Sequence, residues 1–238
     1  MDTDNKKGSI IKRLTELVFP ASCFGCGVDD SWLCPTCQDQ VIIDRPAECP
    51  YCHKPTKQNR TCPACREMGL LKGVWVIGNY RPAWQSLIHG LKFSFLESMK
   101  EDIISLITPA LDQFKSCLAD DYTVTAVPLA RSRFLDRGFN QAELLARPIA
   151  KYLDIPYYNL LSRTGRAESQ SRLTKEARKD NIVRLKIKCK NVENIPESVI
   201  IVDDVYTTGV TMEACAKALK SRGARNIWGI VLARGDWQ

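Results

Sequence analysis

The chain has 238 residues, of which 45% are hydrophobic and 26% are charged, a composition that is typical of folded proteins and excludes an intrinsically disordered chain. Its formal net charge is +7, and no apolar run approaches the about 20 residues that a transmembrane helix needs. The first residues also lack the basic-then-apolar order of a secretory signal, so we expect a cytoplasmic protein with no membrane insertion.

Four Cys-x-x-Cys pairs follow one another in the first third of the chain: Cys23/Cys26, Cys34/Cys37, Cys49/Cys52 and Cys62/Cys65. Each pair lets two thiolates converge on one ion, and two pairs complete a tetrahedral zinc site with bonds of about 2.3 Å. In a reducing compartment such pairs are metal ligands more often than disulfides. We therefore predict two structural zinc ions in a double zinc-ribbon module over residues 1–72.

The spacing of the pairs leaves their combination open. Intervening lengths of seven, eleven and nine residues favour one zinc shared by the first two pairs and a second zinc shared by the last two. A cross-braced arrangement, with alternate pairs combined, is the alternative. His53 follows Cys52 and is expected to be a spectator, because four cysteines already complete the site. No helix of a βαβ unit follows any pair, which disfavours a redox role.

From residue 73 onward, strand-like and helix-like segments alternate, which is typical of an α/β fold. The predicted strands are residues 74–79, 123–128, 199–203 and 226–233, and the predicted helices are residues 83–92, 96–114, 140–153 and 210–221. We expect residues 73–238 to form one domain with a mainly parallel sheet and helices on both faces. The small module with its four-cysteine zinc sites precedes it.

A buried strand that ends in two acids is the most informative feature of this domain. Residues 199–202 are Val-Ile-Ile-Val, and Asp203 and Asp204 follow, then Thr207, Thr208 and Gly209 before a predicted helix. Ligands of parallel sheets bind at the carboxyl ends of strands. There the loop amides, the hydroxyls and the helix N-terminus suit a phosphate, while the acids suit sugar hydroxyls or a metal ion.

Other nucleotide loops fit this string less well. No lysine follows Gly209, which excludes a Walker-type loop, and a Gly-x-Gly-x-x-Gly fingerprint is absent. A simpler interpretation also remains, in which the acids merely end a strand and a threonine caps the helix. Separately, residues 161–190 hold ten basic and three acidic residues, an excess equal to the net charge of the whole chain. Such a segment suits phosphate, pyrophosphate or a nucleic-acid backbone, unless it is only a solvated loop.

Residues 199–211 resemble the 5-phosphoribosyl-1-pyrophosphate (PRPP) motif of the type I phosphoribosyltransferases. Tyr206 departs from it, because that position is often a smaller aliphatic residue, so local packing is expected to differ. Further stretches occur in the order seen in the ComF family, which has a GntX-named branch: residues 87–93, Val127-Pro128-Leu129, and Arg137-Gly138-Phe139-Asn140-Gln141. With the cysteine module, this resemblance covers nearly the whole chain.

The resemblance implies a role for each site residue. Asp203 and Asp204 would hold the ribose hydroxyls together with Mg²⁺. The 5-phosphate loop would consist of Thr207, Thr208, Gly209, Val210 and Thr211. The pyrophosphate side would consist of Leu129, Ala130, Arg131, Arg133 and Arg137. A mobile basic loop would cover the site with Arg163, Arg166, Arg172, Lys175 and Arg178.

Three functional hypotheses follow. The resemblance implies a protein of natural competence that binds PRPP or a 5-phosphoribosyl group, acts in DNA uptake during transformation, and has possible partners in the competence machinery. Whether it turns over, and on which acceptor, is left open. The alternative is a non-catalytic single-stranded DNA-binding protein that uses the basic loop and the ribbons, with Tyr157, Tyr158 or Trp84 stacking on bases. Nucleobase salvage is the third hypothesis.

Overall fold

The computed structural model describes residues 22–29, 31–41, 46–90, 96–118, 121–164, 185–192 and 194–235. Two cysteine-rich ribbons come first and include the short helices α1 (Pro35–Val41) and α2 (Pro63–Arg66). The first strand of the α/β part begins at Gly73, directly after them. The predicted order, with zinc-ribbon segments followed by an α/β fold, is confirmed.

The strands are β1 (Gly73–Asn79), β2 (Tyr122–Ala126), β3 (Leu161–Arg163), β4 (Ile187–Cys189), β5 (Ser198–Tyr206) and β6 (Asn226–Arg234). Four of them form a parallel sheet in the order β1, β6, β5, β2. The residues from Val199 to Val202 in β5 are at most 1% exposed. Because a strand in the middle of a parallel sheet is covered on both faces, it needs the unbroken apolar run that these residues provide.

Beyond β2, the chain adds a further edge to this sheet. Val124 forms an isolated parallel bridge with Tyr157, and its amide donates to the carbonyl oxygen of Pro156 at 2.9 Å. β3 follows at once and pairs antiparallel with β4. This hairpin was not predicted, since each of its strands has only three residues, although residues 185–190 do alternate apolar and basic side chains.

The remaining helices are α3 (Pro82–Gly90), α4 (Leu96–Lys115), α5 (Arg131–Arg137), α6 (Gln141–Leu153) and α7 (Val210–Lys220). α4 and α6 pack on each other, α6 lies against β2 and β5, and α7 lies against β5 and the β3–β4 hairpin. The connection from β2 through α6 to the parallel bridge at Tyr157 and the connection β5–α7–β6 run in opposite directions along the sheet. Right-handed crossovers then place α6 and α7 on opposite faces. The expected arrangement of helices on both faces is confirmed.

The core beside β1 is aromatic. The ring of Phe114 lies 5.5 Å from that of Trp75 and 5.6 Å from that of Trp228, measured between centroids. Trp84 is 1% exposed and packs against Gly78 in β1. The expectation that Trp84 stacks on nucleic-acid bases is therefore wrong, because its indole belongs to the core.

The predicted elements differ from the observed ones mainly at their ends. β5 runs to Tyr206, three residues beyond its predicted end, because Val205 and Tyr206 still pair with Ala233 and Arg234 of β6. Helix α5 was not predicted at all, and its seven residues are too few for an apolar periodicity to show. Among the described helices, none combines the length and the apolar character that crossing a bilayer requires.

Candidate zinc sites and ligand cleft

The cysteines form two compact quartets. Cys23, Cys26, Cys34 and Cys37 form one quartet, and Cys49, Cys52, Cys62 and Cys65 form the other. Within each quartet all sulfur atoms lie within 4.8 Å of one another. The sequential combination of pairs is therefore confirmed, and the cross-braced alternative is excluded.

The sulfur geometry fits zinc. A tetrahedron with zinc–sulfur bonds of about 2.3 Å has sulfur–sulfur edges of about 3.8 Å. Cys26 Sγ lies 3.6 Å from Cys34 Sγ, and Cys52 Sγ lies 3.6 Å from Cys62 Sγ. His53 is not a member of either quartet, and its ring contacts Arg234 instead. Both sites thus have the donor set of a closed structural zinc site, which leaves no position open for a substrate.

Backbone amides favour the thiolate form of the first cysteine in each quartet. Desolvation raises the pKa of Cys23, but amide donors such as that of Cys34, 3.3 Å away, outweigh this effect and lower the pKa to about 6. The same balance, with the Cys62 amide 3.5 Å away, lowers the pKa of Cys49 to about 7. Because zinc binds the thiolate, these amides lower the cost of preparing each site for its ion.

The turn after β5 has the geometry of a phosphate-binding loop. Thr207, Thr208 and Gly209 connect the strand to α7, which begins at Val210. Gly209 has a φ of +76°, and a Cβ atom there would also collide with the ring of Tyr206. A glycine is required for both reasons. The main chain thus folds tightly under the first turn of α7, where amide groups favour an anion.

Asp203 and Asp204 are partly buried, and the chain itself orients both carboxylates. The amide of Asp204 donates to Asp203 Oδ1 at 2.9 Å, and the amide of Val205 donates to Asp204 Oδ1 at 2.8 Å. Desolvation, followed by the neighbouring carboxylate of Asp204, raises the pKa of Asp203 well above its ordinary value, while Arg163 opposes the shift. Hydroxyl donors or a cation would relieve this repulsion.

These groups line a cleft of about 340 Å³ at the carboxyl ends of β1, β2 and β5. Eight of the predicted site residues line it: Leu129, Arg133, Arg137, Arg163, Asp203, Asp204, Thr207 and Thr211. Thr208, Gly209 and Val210 shape the turn beside it without lining it. Ala130 is buried at the start of α5, and the adjacent Arg131 is exposed; neither lines the cleft.

Arg163 lies on a strand and not in a loop. It is the last residue of β3, is paired with Ile187 of β4, and lines the cleft. Desolvation and the nearby charge of Arg133 lower the pKa of Arg163, while Asp203 raises it. Its assignment to the mobile loop is corrected accordingly. Four other residues of that predicted loop, Arg166, Arg172, Lys175 and Arg178, lie outside the described residues.

Three further polar residues of the cleft were not assigned to the site from sequence: Tyr80, Asn140 and Gln141. Asn140 caps α6, since its Oδ1 accepts from the amide of Ala142, and its Nδ2 donates to the carbonyl of Val127 at 2.9 Å. It thus ties the loop after β2 to the helix. The signal was the stretch Arg137-Gly138-Phe139-Asn140-Gln141, whose amide side chains stand at a predicted helix start.

Gln141 carries an unpaired polar atom in this cleft. The residue is 5% exposed, and its Oε1 accepts from Arg137 Nη1 at 2.8 Å. Its Nε2 is buried and has no hydrogen-bond partner among the described residues. Because a buried donor without an acceptor is costly, such an atom in a cleft indicates a place for a ligand oxygen. The donor set of the cleft, with its acids, hydroxyls, amide and arginines, fits a sugar phosphate and its counter-ion.

Two protein families match the chain. Residues 14–66 match the double zinc ribbon domain, and residues 140–236 match the phosphoribosyl transferase domain. The first match contains both cysteine quartets. The second contains β5, the turn that follows it and Gln141.

Several relatives are similar along most of their length. Competence protein ComFC of Streptococcus pneumoniae is 28% identical over 87% of this chain and 89% of its own. Competence protein F of Haemophilus influenzae is 28% identical over 84% of this chain and 90% of its own. DNA utilization protein YhgH of Shigella flexneri is 27% identical over 89% of this chain and 96% of its own.

Proposed function

The chain belongs to the ComF family, and from this premise we propose that it acts in natural competence and DNA uptake through a cleft that binds PRPP or a 5-phosphoribosyl group with Mg²⁺. The observation that carries the proposal is the cleft itself. Paired carboxylates, a tight turn before a helix and three arginines face one space at the carboxyl ends of parallel strands. No one of these features is specific, but a phosphoribosyl group with a pyrophosphate requires all of them together.

In this proposal each part of the ligand has its own partners. The 5-phosphate lies in the turn of Thr207 to Thr211, and the ribose hydroxyls donate to Asp203 and Asp204. Arg133, Arg137 and Arg163 provide charge-assisted bonds for the pyrophosphate. The Nε2 of Gln141, whose Oε1 is bound by Arg137, donates to a ligand oxygen in the cleft that both residues line.

Mg²⁺ would be held by one of the two carboxylates together with ligand oxygens, because this ion is usually bound by few protein ligands and by substrate phosphates. It would neutralise charge on the pyrophosphate. The raised pKa of Asp203 supports a positively charged or hydroxyl-bearing partner at this position, since desolvation and the second carboxylate outweigh the Asp204 amide and Arg163, which both lower that pKa. Binding is the core of the proposal.

The DNA-binding alternative draws on a different surface. Lys186, Lys188 and Lys190 are exposed on and beside β4, and alternate residues of a strand lie on one side of it, about 6.6 Å apart. Tyr158 is 54% exposed, whereas Tyr157 is partly buried under Arg147, 4.5 Å from its ring centroid. A phosphate backbone along these lysines with a base on Tyr158 would be a second function of the protein, not a competing use of the cleft.

The test measures how a double variant at the two acids binds PRPP and single-stranded DNA. Asp203→Ala/Asp204→Ala should weaken the binding of PRPP with Mg²⁺ about 100-fold or more by calorimetry, because two charged hydrogen-bonding groups are lost. Glu197→Ala is the matched control, since it removes an exposed carboxylate beside the amino end of the same strand.

Single-stranded DNA binding is measured in parallel by fluorescence anisotropy, and pyrophosphate release reports turnover. Loss of PRPP binding with unchanged DNA binding would mean two sites, whereas joint loss would mean one. Release of pyrophosphate that is stimulated by a nucleobase would favour salvage. A parent protein that does not bind PRPP would refute the proposed ligand.

A further inference from the structure

The second zinc quartet lies directly against the phosphate-binding turn. Tyr206, the last residue of β5, is 4% exposed, and its hydroxyl donates to the carbonyl oxygen of Pro50 at 3.3 Å. Pro50 lies within the Cys49–Cys52 knuckle of that quartet. The same tyrosine ring occupies the space beside Gly209 in which a side chain would otherwise lie. One side chain therefore contacts a zinc knuckle at one end and the phosphate turn along its ring.

A second tyrosine makes a parallel connection from the same knuckle to α7. Tyr51 donates a hydrogen bond from its hydroxyl to the carboxylate of Glu213, and the same hydroxyl accepts from the amide of Leu71 at 3.0 Å. Glu213 lies in the first turn of α7, and its amide donates to the carbonyl of Gly209 at 2.9 Å. The start of the helix is thus held from the ribbon as well.

A buried arginine completes the contact. Arg234, at the end of β6, is 4% exposed, and its guanidinium lies 5.3 Å from the ring centroid of Tyr206. The ribbon supplies the opposite charge, because Glu48 Oε2 lies 3.5 Å from Arg234 Nη1. His53 of the same ribbon also contacts the guanidinium. Because an unpaired buried cation is strongly unfavourable, the ribbon residues help to keep Arg234 beneath the turn.

The first quartet has different neighbours. Phe24, within its first knuckle, stacks on Trp32 at 5.6 Å between centroids and packs against Gly90 at the end of α3. α1, which carries Cys37, also lies next to α3. For the residues that the structure describes, the contacts of this quartet are with α3 and not with the phosphate turn.

We infer that the second zinc site positions the phosphate-binding turn, so that loss of its zinc weakens the binding of the 5-phosphate. The connection runs from the knuckle through Pro50 and Tyr51 to Tyr206 and Glu213, and from these to Gly209. A four-cysteine ribbon is too small to fold without its ion, so losing the zinc removes these contacts together. The ligand part of this inference rests on the proposed function, whereas the structural part concerns the turn alone.

The experiment uses three variants of the full chain. Cys62→Ser disrupts the second quartet, Cys34→Ser disrupts the first as a matched control, and Tyr206→Phe removes one hydroxyl while keeping the ring. Hydrogen–deuterium exchange is followed in peptides that span residues 203–213. We expect faster exchange there in Cys62→Ser and unchanged exchange in Cys34→Ser.

Ribose 5-phosphate and inorganic pyrophosphate, each a part of the proposed ligand, distinguish a displaced phosphate turn from a general loss of structure in the cleft. Tyr206→Phe should weaken the binding of ribose 5-phosphate about three- to tenfold, the effect of one hydrogen bond, and leave the binding of inorganic pyrophosphate unchanged. Cys62→Ser should weaken ribose 5-phosphate binding more than tenfold, and Cys34→Ser should not.

The inference is overturned if Cys62→Ser and Cys34→Ser have the same exchange in the turn, or if Tyr206→Phe lowers affinity for both part-ligands equally. If the parent binds neither part-ligand, the proposed function fails, and the exchange comparison alone then decides whether the ribbon positions the turn.

Discussion

Arg137 donates a hydrogen bond from Nη1 to Oε1 of Gln141 at 2.8 Å, and this contact fixes the orientation of the buried amide. Nε2 of Gln141 is left without an acceptor among the described residues, at the edge of the cleft that carries the arginines. The ligand-free protein therefore bears the cost of a desolvated donor. A ligand oxygen that accepts from this atom removes that cost. Its binding therefore gains both the new hydrogen bond and the relief of the desolvation penalty.

Replacing Gln141 with methionine should separate stability from binding. Removing the buried unpaired donor favours the ligand-free fold, whereas losing the acceptor of the Arg137 hydrogen bond disfavours it. The unfolding temperature is therefore expected to change little, while the affinity for inorganic pyrophosphate falls about tenfold. Calorimetry and thermal unfolding measure the two effects. Gln113→Met, at an exposed position of α4, is the control. A large loss of stability without any loss of affinity would show that Gln141 serves packing alone.

The stability of the ligand-free protein should depend on pH through Asp203. Desolvation and the carboxylate of Asp204 raise its pKa in the folded state, so the folded state binds more protons than the unfolded one. The stabilisation from this proton is present below the ordinary aspartate pKa and is lost as the pH rises through the raised value. Asp203→Asn should thus stabilise the protein at neutral pH, by an amount that shrinks in acid.

Urea unfolding at several pH values measures this difference. Asp136→Asn, at an exposed position of α5, is the matched control. An Asp203→Asn variant that is less stable than the parent at neutral pH would mean that the carboxylate is already compensated in the folded state.

Some features of the site could be predicted from sequence because the residues that form them lie close together along the chain. The Cys-x-x-Cys spacing was sufficient to predict two zinc sites and favoured their sequential pairing, which only the structure decided. The apolar run before Asp203 was sufficient to predict a buried strand that leads into the cleft. Side-chain partners over long distances could not be predicted in this way. Tyr206 was recognised as unusual, but Pro50 is 156 residues away along the chain. No spacing indicates that contact.

Other errors have the same origin. The composition of residues 161–190 indicates a basic loop, and a three-residue strand within it does not change that composition, so Arg163 was placed in the loop. The free Nε2 of Gln141 depends on the rotamer that Arg137 adopts, which packing decides. Trp84 was one of three aromatic residues considered for base stacking, but its indole is buried in the core and packs against Gly78 of β1.

Metal analysis should give two zinc ions per chain, since each quartet has four thiol ligands and a tetrahedral arrangement. Cys34→Ser and Cys62→Ser should each reduce the content to about one ion per chain by elemental analysis, because three remaining ligands bind a structural zinc more weakly. A parent chain with one zinc would refute the assignment of one quartet. Loss of both ions in either variant would mean that the two ribbons fold as a single unit.

Substitution of Gly209 tests the tight turn itself. Gly209→Ala adds a Cβ atom at a φ of +76° and against the ring of Tyr206, whereas Gly138→Ala adds one at a φ of +80° with no atom within 4 Å. Gly138→Ala should cost about 1–2 kcal/mol of unfolding free energy from backbone strain alone, and Gly209→Ala should cost at least 1 kcal/mol more because of the collision. Urea unfolding measures both costs. Equal costs would mean that Tyr206 moves aside freely, which is inconsistent with a ring that holds the phosphate turn in place.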